Sequence, residues 1–408
     1  MEVTLDEMVS NGFQVAGTYD PDFSELVDVF RENFICRHEV GASVCVIMHG
    51  RPVVDLWGGV ADLTTKRPWK RDTLSTVLSC TKGATALCAH ILAEEGRLNL
   101  YEDVARLWPD FAQAGKAGTT AAMMLGHTSP VPHLREPIRP NGMLDWEYMV
   151  ERVSTEPAWW KPGTRQGYHG LTFAWTVGNV VRLAAGMPLG AYFHERIAGP
   201  LALDFYIGLP ESEEPRVARM IASDPGEVDL SSRFVQAVVG QPGSLPELFV
   251  SNTGGADFSS PAMRAAELGS VSGVTNARGL AGMYAPLARA GCGLLSVESV
   301  ARMGRCQSAT YVDATLLQPM RFGMGFMVGM DNRLAGGFSF RIGERAFGHV
   351  GTGGSVGFAD PEIGMAFGYT MNRMGAGPLL NERGQGLAAC RVGHFAADNA
   401  EADPAYAA

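Results

Sequence analysis

Charge is scarce in this chain. Only 19% of its 408 residues are Asp, Glu, Lys or Arg, and the formal net charge is −10. There is no dense Lys/Arg block to oppose that excess of acid. Phosphate backbones and anionic membrane surfaces are therefore repelled, which argues against nucleic-acid and membrane partners. No uninterrupted apolar run reaches the roughly 20 residues that a bilayer requires. The first residues, MEVTLDEMVSNGFQVAG, are acidic and lack an apolar segment, so they do not read as a secretory signal. The expectation is a soluble, cytoplasmic protein. Cysteine pairing is lacking too. The seven cysteines (36, 45, 80, 88, 292, 306 and 390) are odd in number and widely spaced, with no CxxC. That disfavours a zinc ribbon or a redox pair and leaves small buried hydrophobes in a reducing compartment. Nine histidines are scattered, and the closest pair, His127 and His133, does not make a metal-ligand pattern. Neither metal nor cofactor is expected.

What the chain does have is 46% hydrophobic residues, enough for a large core. Residues 42–49 (ASVCVIMH) and 52–57 (PVVDLW) read as a hairpin turned at Gly50 and Arg51. Residues 79–95 carry an apolar stripe (Ala84, Leu87, Cys88, Ile91, Leu92) at helical spacing, stopped by Gly96. Similar stripes mark helices at 171–185, stopped by Gly186, and after Thr275, stopped by Gly291. Residues 207–262, rich in Pro, Gly and Ser, read as a long irregular surface excursion. After residue 320 come short strand-like runs: RFGMGFMVG, FSFRI, AFGHVG, GSVGFAD and MAFGYTMN. Residues 360–364 read as a hairpin turn between the last two. From Pro378 to about Phe395 the pattern is helical again, and the tail ADNAEADPAYAA reads as disordered. The fold class is thus α/β (α+β): a mostly antiparallel sheet built from both chain ends, flanked by helices, with a helical and loop lobe beside it. The boundaries are an α/β domain of 1–78 and 278–408 and a mainly helical lobe of 79–277. The cleft between them is the default binding site.

Three short elements carry chemistry. Ser79-Cys80-Thr81-Lys82 sits where a helix begins. A spacing of three is close to one turn, so both side chains share a face. A serine hydroxyl needs a base or a cation beside it to attack a carbonyl, and Lys82 supplies either. Taken alone, the same four residues also read as an N-cap and a solvated lysine. Downstream, the Pro162-Gly163 turn delivers Tyr168 just ahead of a helix. A tyrosine whose phenol is lowered by a lysine acts as a general base. The third element is His349-Val350-Gly351-Thr352. Gly351 allows close approach of substrate to backbone, and the Thr352 N–H pairs with that of Ser79 as an oxyanion hole. Gly353-Gly354-Ser355-Val356-Gly357 fits Gly-x-Ser-x-Gly, but the residues after it cannot form the helix a nucleophile elbow needs.

In this order the three elements resemble the Ser-x-x-Lys, Tyr-x-Asn and Lys-Thr-Gly elements of class C β-lactamases and DD-peptidases, which share the β-lactamase/transpeptidase fold. The closer resemblance is to the family VIII carboxylesterases. It is carried also by VVDLWGGVAD, LGHTSPVP, PGTRQGYHGLTFAWTVGNVVRLAAG, NARGLAGMYAPLA, RFGMGF and FGHVGTGGSVGFADPEIGMAFGYTMNRM, over roughly residues 40 to 375. The resemblance implies that Ser79 is acylated, that Lys82 and Tyr168 move protons, and that the N–H groups of Ser79 and Thr352 hold the oxyanion. It departs from the β-lactamases at Gly170, where they have Asn, and at His349, where they have Lys. Without a fixed cation there, neutral esters are favoured over penicillins. Trp159, Trp160 and the 207–262 excursion are candidate pocket walls. The expected activity is hydrolysis of a small-molecule ester. An acyltransferase with a non-water acceptor, a weak β-lactamase or D-peptidase, and a non-catalytic binding protein on the same scaffold stay open.

Overall fold

Alternation along one strand shows how the sheet is covered on both sides. Val44 and Val46 join a core with Leu26, Phe30 and Leu387, whereas Cys45 between them packs against Ala277 and Ala281. Successive side chains of a strand point to opposite faces, so a run such as ASVCVIM stays apolar throughout only if both faces are buried. Here they are. The helices Ser24–Cys36 and Glu382–Ala389 cover one face, and Ala277–Ala288 covers the other.

The computed structural model describes residues 2–335 and 338–390. In chain order the strands are β1 (Val3–Met8), β2 (Gln14–Tyr19), β3 (Gly41–Met48), β4 (Arg51–Asp62), β5 (Arg67–Pro68), β6 (Ser75–Thr76) and β7 (Phe205–Tyr206). They continue with β8 (Val274–Thr275), β9 (Ser308–Thr310), β10 (Met320–Phe322), β11 (Met327–Val328), β12 (Phe347–Val350), β13 (Val356–Asp360) and β14 (Met365–Met371). The large sheet runs β1-β2-β4-β3-β14-β13-β12-β11-β10-β9, with β5 on β4, and a small sheet runs β6-β8-β7. Every pairing between these strands among the described residues is antiparallel, and β3 against β14 (Ala42 opposite Met371, Met48 opposite Met365) joins the two chain ends. Between them lie the helices Thr81–Glu94 and Phe173–Ala185, packed together in a second core. The antiparallel sheet from both termini therefore stands as expected.

Local readings change in three places, and a fourth lies partly outside the described residues. Residues 3–36, unassigned from sequence, form the β1–β2 hairpin and a helix. FSFRI makes no strand, only an isolated bridge of Phe340 to Met330. The 207–262 excursion contains the short helices Arg233–Gly240 and Leu245–Ser251, whose one or two turns are too brief to show a period. The last helix ends at Ala389; the reading to Phe395 and the disordered tail lie outside the described residues. No helix among the described residues is long and apolar enough to cross a membrane.

Candidate active site

Ser79 does not open the α-helix itself. It sits on a 3-10 turn, Leu78–Cys80, which leads into Thr81–Glu94. The preceding Leu78 has φ 43°, left-handed backbone that costs a residue with a side chain about 1–2 kcal/mol. The surroundings hold it there: Val77 N donates to Gly273 O at 2.9 Å, Cys80 N donates to Val77 O at 3.1 Å, and the Leu78 side chain is buried. Strand β12 lies alongside this turn, and the Cys80 thiol donates to His349 O at 3.3 Å.

Lys82 is fully buried. Its Nζ lies 2.8 Å from Gly170 O, 3.1 Å from Ser270 O and 3.1 Å from Ser79 Oγ. The rings of Tyr168 and Phe173 stand 5.0 and 5.7 Å away, measured to their centroids. No carboxylate faces it, and burial holds its amine well below the ordinary lysine range. A neutral amine has two N–H bonds and one lone pair. In that form the two carbonyls take the N–H bonds and the lone pair is free to accept the Ser79 proton.

Tyr168 is also buried, and its hydroxyl has no hydrogen-bond partner of good geometry among the described residues. Burial pushes its phenol up, with the neighbouring Ser79 hydroxyl pulling weakly the other way. The lowered tyrosine expected from sequence is thus corrected: burial penalises the phenolate by more than its neighbours stabilise it. The backbone around Tyr168 is fixed by buried Asp313, whose Oδ1 accepts from the N–H groups of Tyr168 (3.0 Å), Thr315 (2.9 Å) and Leu316 (2.9 Å). Behind it, His127 is 5.0 Å from the Tyr168 ring and 4.3 Å from Phe322, and its Nδ1 accepts from His169 N at 3.1 Å.

The remaining candidates are placed as follows. His349 is fully buried, with Nδ1 against Val350 O at 2.7 Å and its ring 6.2 Å from Tyr168. Burial pushes its imidazole down to about 3, so it is neutral. Its ring is buried beside that of Tyr168. At Gly351 a Cβ would lie 2.3 Å from Val77 O. The close approach there is made by the protein's own backbone, bringing the end of β12 against the serine turn. Thr352 follows directly, half-buried, and its Oγ1 donates to Pro378 O at 3.1 Å. At Gly170 a Cβ would lie 1.9 Å from the Phe249 ring. Trp159 and Trp160 donate their indole N–H groups to His133 O and Thr128 O, at 2.9 and 3.1 Å. They brace the turn before Tyr168 and do not line the large cleft beside the site. Ser355 is buried and precedes a strand, β13, where an elbow requires a helix.

Sequence reasoning missed Asp313, Ser270 and Phe249, because none lies in a motif and each arrives from a distant segment. His127 was within a quoted segment, LGHTSPVP, without a role. Among the described residues no group of His, Cys, Asp and Glu is arranged to hold a metal.

A buried serine on the turn before a helix, a buried amine 3.1 Å from it and a glycine-bearing strand end against the serine turn form an arrangement of the serine–lysine kind. Residues 26–389 match the Beta-lactamase family, and the chain belongs to that family. It is 32% identical over 379 residues to the esterase/beta-lactamase LipL of Mycobacterium tuberculosis, covering 89% of this chain and 84% of that one. Among solved structures it resembles a family VIII carboxylesterase, with TM-score 0.78, 33% identity and coverage of 92% of this chain and 98% of that one. A penicillin-binding protein homolog from Caulobacter crescentus superposes with TM-score 0.80 at 30% identity, again covering 92% and 98%.

Proposed function

We propose that this protein is a serine hydrolase that cleaves carboxylic esters through an acyl-enzyme on Ser79. The observation that carries the reading is the Lys82 amine, fully buried, with two carbonyls on its N–H groups and the Ser79 hydroxyl 3.1 Å away. In the first step the Ser79 proton passes to Lys82 while Oγ attacks the ester carbonyl. The tetrahedral oxyanion lies between the N–H groups of Ser79 and Thr352. Collapse breaks the bond to the alcohol, which leaves with the Tyr168 proton, and Tyr168 is reprotonated from Lys82. Water then attacks the acyl group, gives its proton to the same pair, and Ser79 Oγ departs with a proton. The residues end as they began.

Neutral esters are favoured over β-lactams because His349 is buried and uncharged, leaving no cation on β12 for a lactam carboxylate. The likeness to a family VIII carboxylesterase supports the ester side of this choice, while the relative LipL carries both esterase and beta-lactamase in its name. For the chain's organisation we keep an α/β domain of 1–78 and 278–408 and a helical lobe of 79–277. Seven free thiols, among them buried Cys45, Cys80 and Cys88, fit a reducing, cytoplasmic setting. The test compares wild type and Ser79→Ala on a short p-nitrophenyl ester and a chromogenic cephalosporin. Fast ester cleavage, slow or no lactam cleavage and loss of both in the variant are expected. Undiminished turnover by Ser79→Ala would refute the assignment.

A further inference from the structure

The 207–262 segment returns to the reacting groups through one side chain. Phe249, on Leu245–Ser251, lies over Gly170 so closely that a Cβ there would be 1.9 Å from its Cε2 and 2.4 Å from its Cδ2. Its ring stands 6.2 Å from that of Tyr168 and 6.1 Å from that of Phe234, edge-on to both. The end of its helix is pinned by buried Asn252, which accepts from Ile138 N at 2.8 Å and donates to Leu134 O at 2.9 Å. Phe234 in turn lines a cleft of about 590 Å3, with Leu316, Pro319, Phe338 and Leu379 among its walls. That volume is within the usual range for small-molecule sites. The cleft wall also includes Pro378, whose carbonyl accepts from Thr352 Oγ1. The cleft is therefore one side chain away from Tyr168 and one from Thr352. Ser79 meanwhile is only 5% exposed.

We propose that Phe249 is a specificity-determining partition between Ser79 and this cleft. The substrate class is then neutral esters bearing an extended apolar group, an acyl chain or an aryl ring, that reaches the cleft by displacing the Phe249 ring. Gly170 belongs to the same device, since any side chain there takes the ring's place. The proposal rests on the ester-hydrolase reading and deepens it.

The test measures kcat/KM on p-nitrophenyl acetate and p-nitrophenyl decanoate for wild type, Phe249→Ala, Phe249→Leu, Gly170→Ala and the double variant Gly170→Ala/Phe249→Ala. Removing the ring should raise the decanoate-to-acetate ratio about tenfold or more, the scale on which hydrophobic pockets discriminate. Gly170→Ala should cost several-fold more with Phe249 present than without it, because contacting residues are not additive. Phe249→Leu carries the comparison if the alanine variant folds poorly. A ratio unmoved in both Phe249 variants, or an equal cost of Gly170→Ala in both backgrounds, overturns the proposal. Labelling of Ser79 by methyl and octyl fluorophosphonates, in which Oγ displaces fluoride, separates the two readings. Labelling without ester turnover sinks the hydrolase, while the octyl-to-methyl labelling ratio still tests the partition.

Discussion

Lys82 sets the sharpest test, because its buried, uncharged amine must show in folding as well as in catalysis. The perturbation is Lys82→Met, which keeps the length and apolar stem and removes the titrating nitrogen. In the unfolded chain Lys82 takes up a proton below its ordinary value of 10.5, whereas in the folded state burial keeps it neutral far below that. Between the two values the unfolded state binds one proton more. Stability must therefore rise with pH across that window, by about 1.4 kcal/mol per pH unit from this one group, and level off above the unfolded value. Within that window the wild type should gain steadily on Lys82→Met as pH rises. The sign is opposite to that of a solvent-paired lysine, whose folded value is raised and whose contribution fades at high pH. Urea unfolding of both proteins at several pH values, taken as a difference, cancels every other titrating group. A difference that does not change with pH would mean that the lysine is charged when folded and would refute its role as resting base. In parallel, Lys82→Met should lower kcat/KM about 100- to 10,000-fold, the range of a lost general base. It also strands the carbonyls of Gly170 and Ser270, at about 1–3 kcal/mol each.

Acid should unfold the protein early. His90, His133 and His169 are pushed down to about 4 and His349 to about 3, each chiefly by burial, and His127 is lowered as well. Each stays neutral when folded and charges when unfolded, so below about pH 6.5 each removes up to about 1.4 kcal/mol per pH unit; circular dichroism against pH should show a cooperative loss above the carboxylate range. Asp313→Ala should lower kcat/KM and cost about 2–4 kcal/mol by stranding the buried N–H groups around Tyr168, whereas Asp313→Asn keeps an acceptor and should cost less in denaturant melts. Arg383→Ala leaves buried Glu39, which also accepts from the Tyr369 hydroxyl, without its cation and should cost about 3–5 kcal/mol with catalysis per folded molecule unchanged. Ser355→Ala should keep kcat/KM within about twofold of wild type, since no elbow is built there; a hundredfold loss would reopen the choice of nucleophile.

Local pattern alone determined a good deal about this protein. Spacing put Ser79 and Lys82 on one face, because a helical turn is a property of the backbone. The run from Ala42 to Met48 called for a strand covered on both sides, and the apolar stripes of 79–95 and 171–185 called for helices, because burial imposes a period on the residues that meet the core. Only the tertiary structure decided the rest. The charge state of Lys82 depends on what is missing around it and on two carbonyls that lie 88 and 188 residues away along the chain. The neutrality of His349 and the raised phenol of Tyr168 are likewise consequences of burial, which no motif records. Asp313 and Phe249 reach the site through chain crossings that bring residues 145 positions beyond Tyr168 and an apparent surface excursion onto the same few ångströms. Sequence spacing governs neighbours within a turn or a strand; desolvation and long-range contact exist only once the chain has closed on itself.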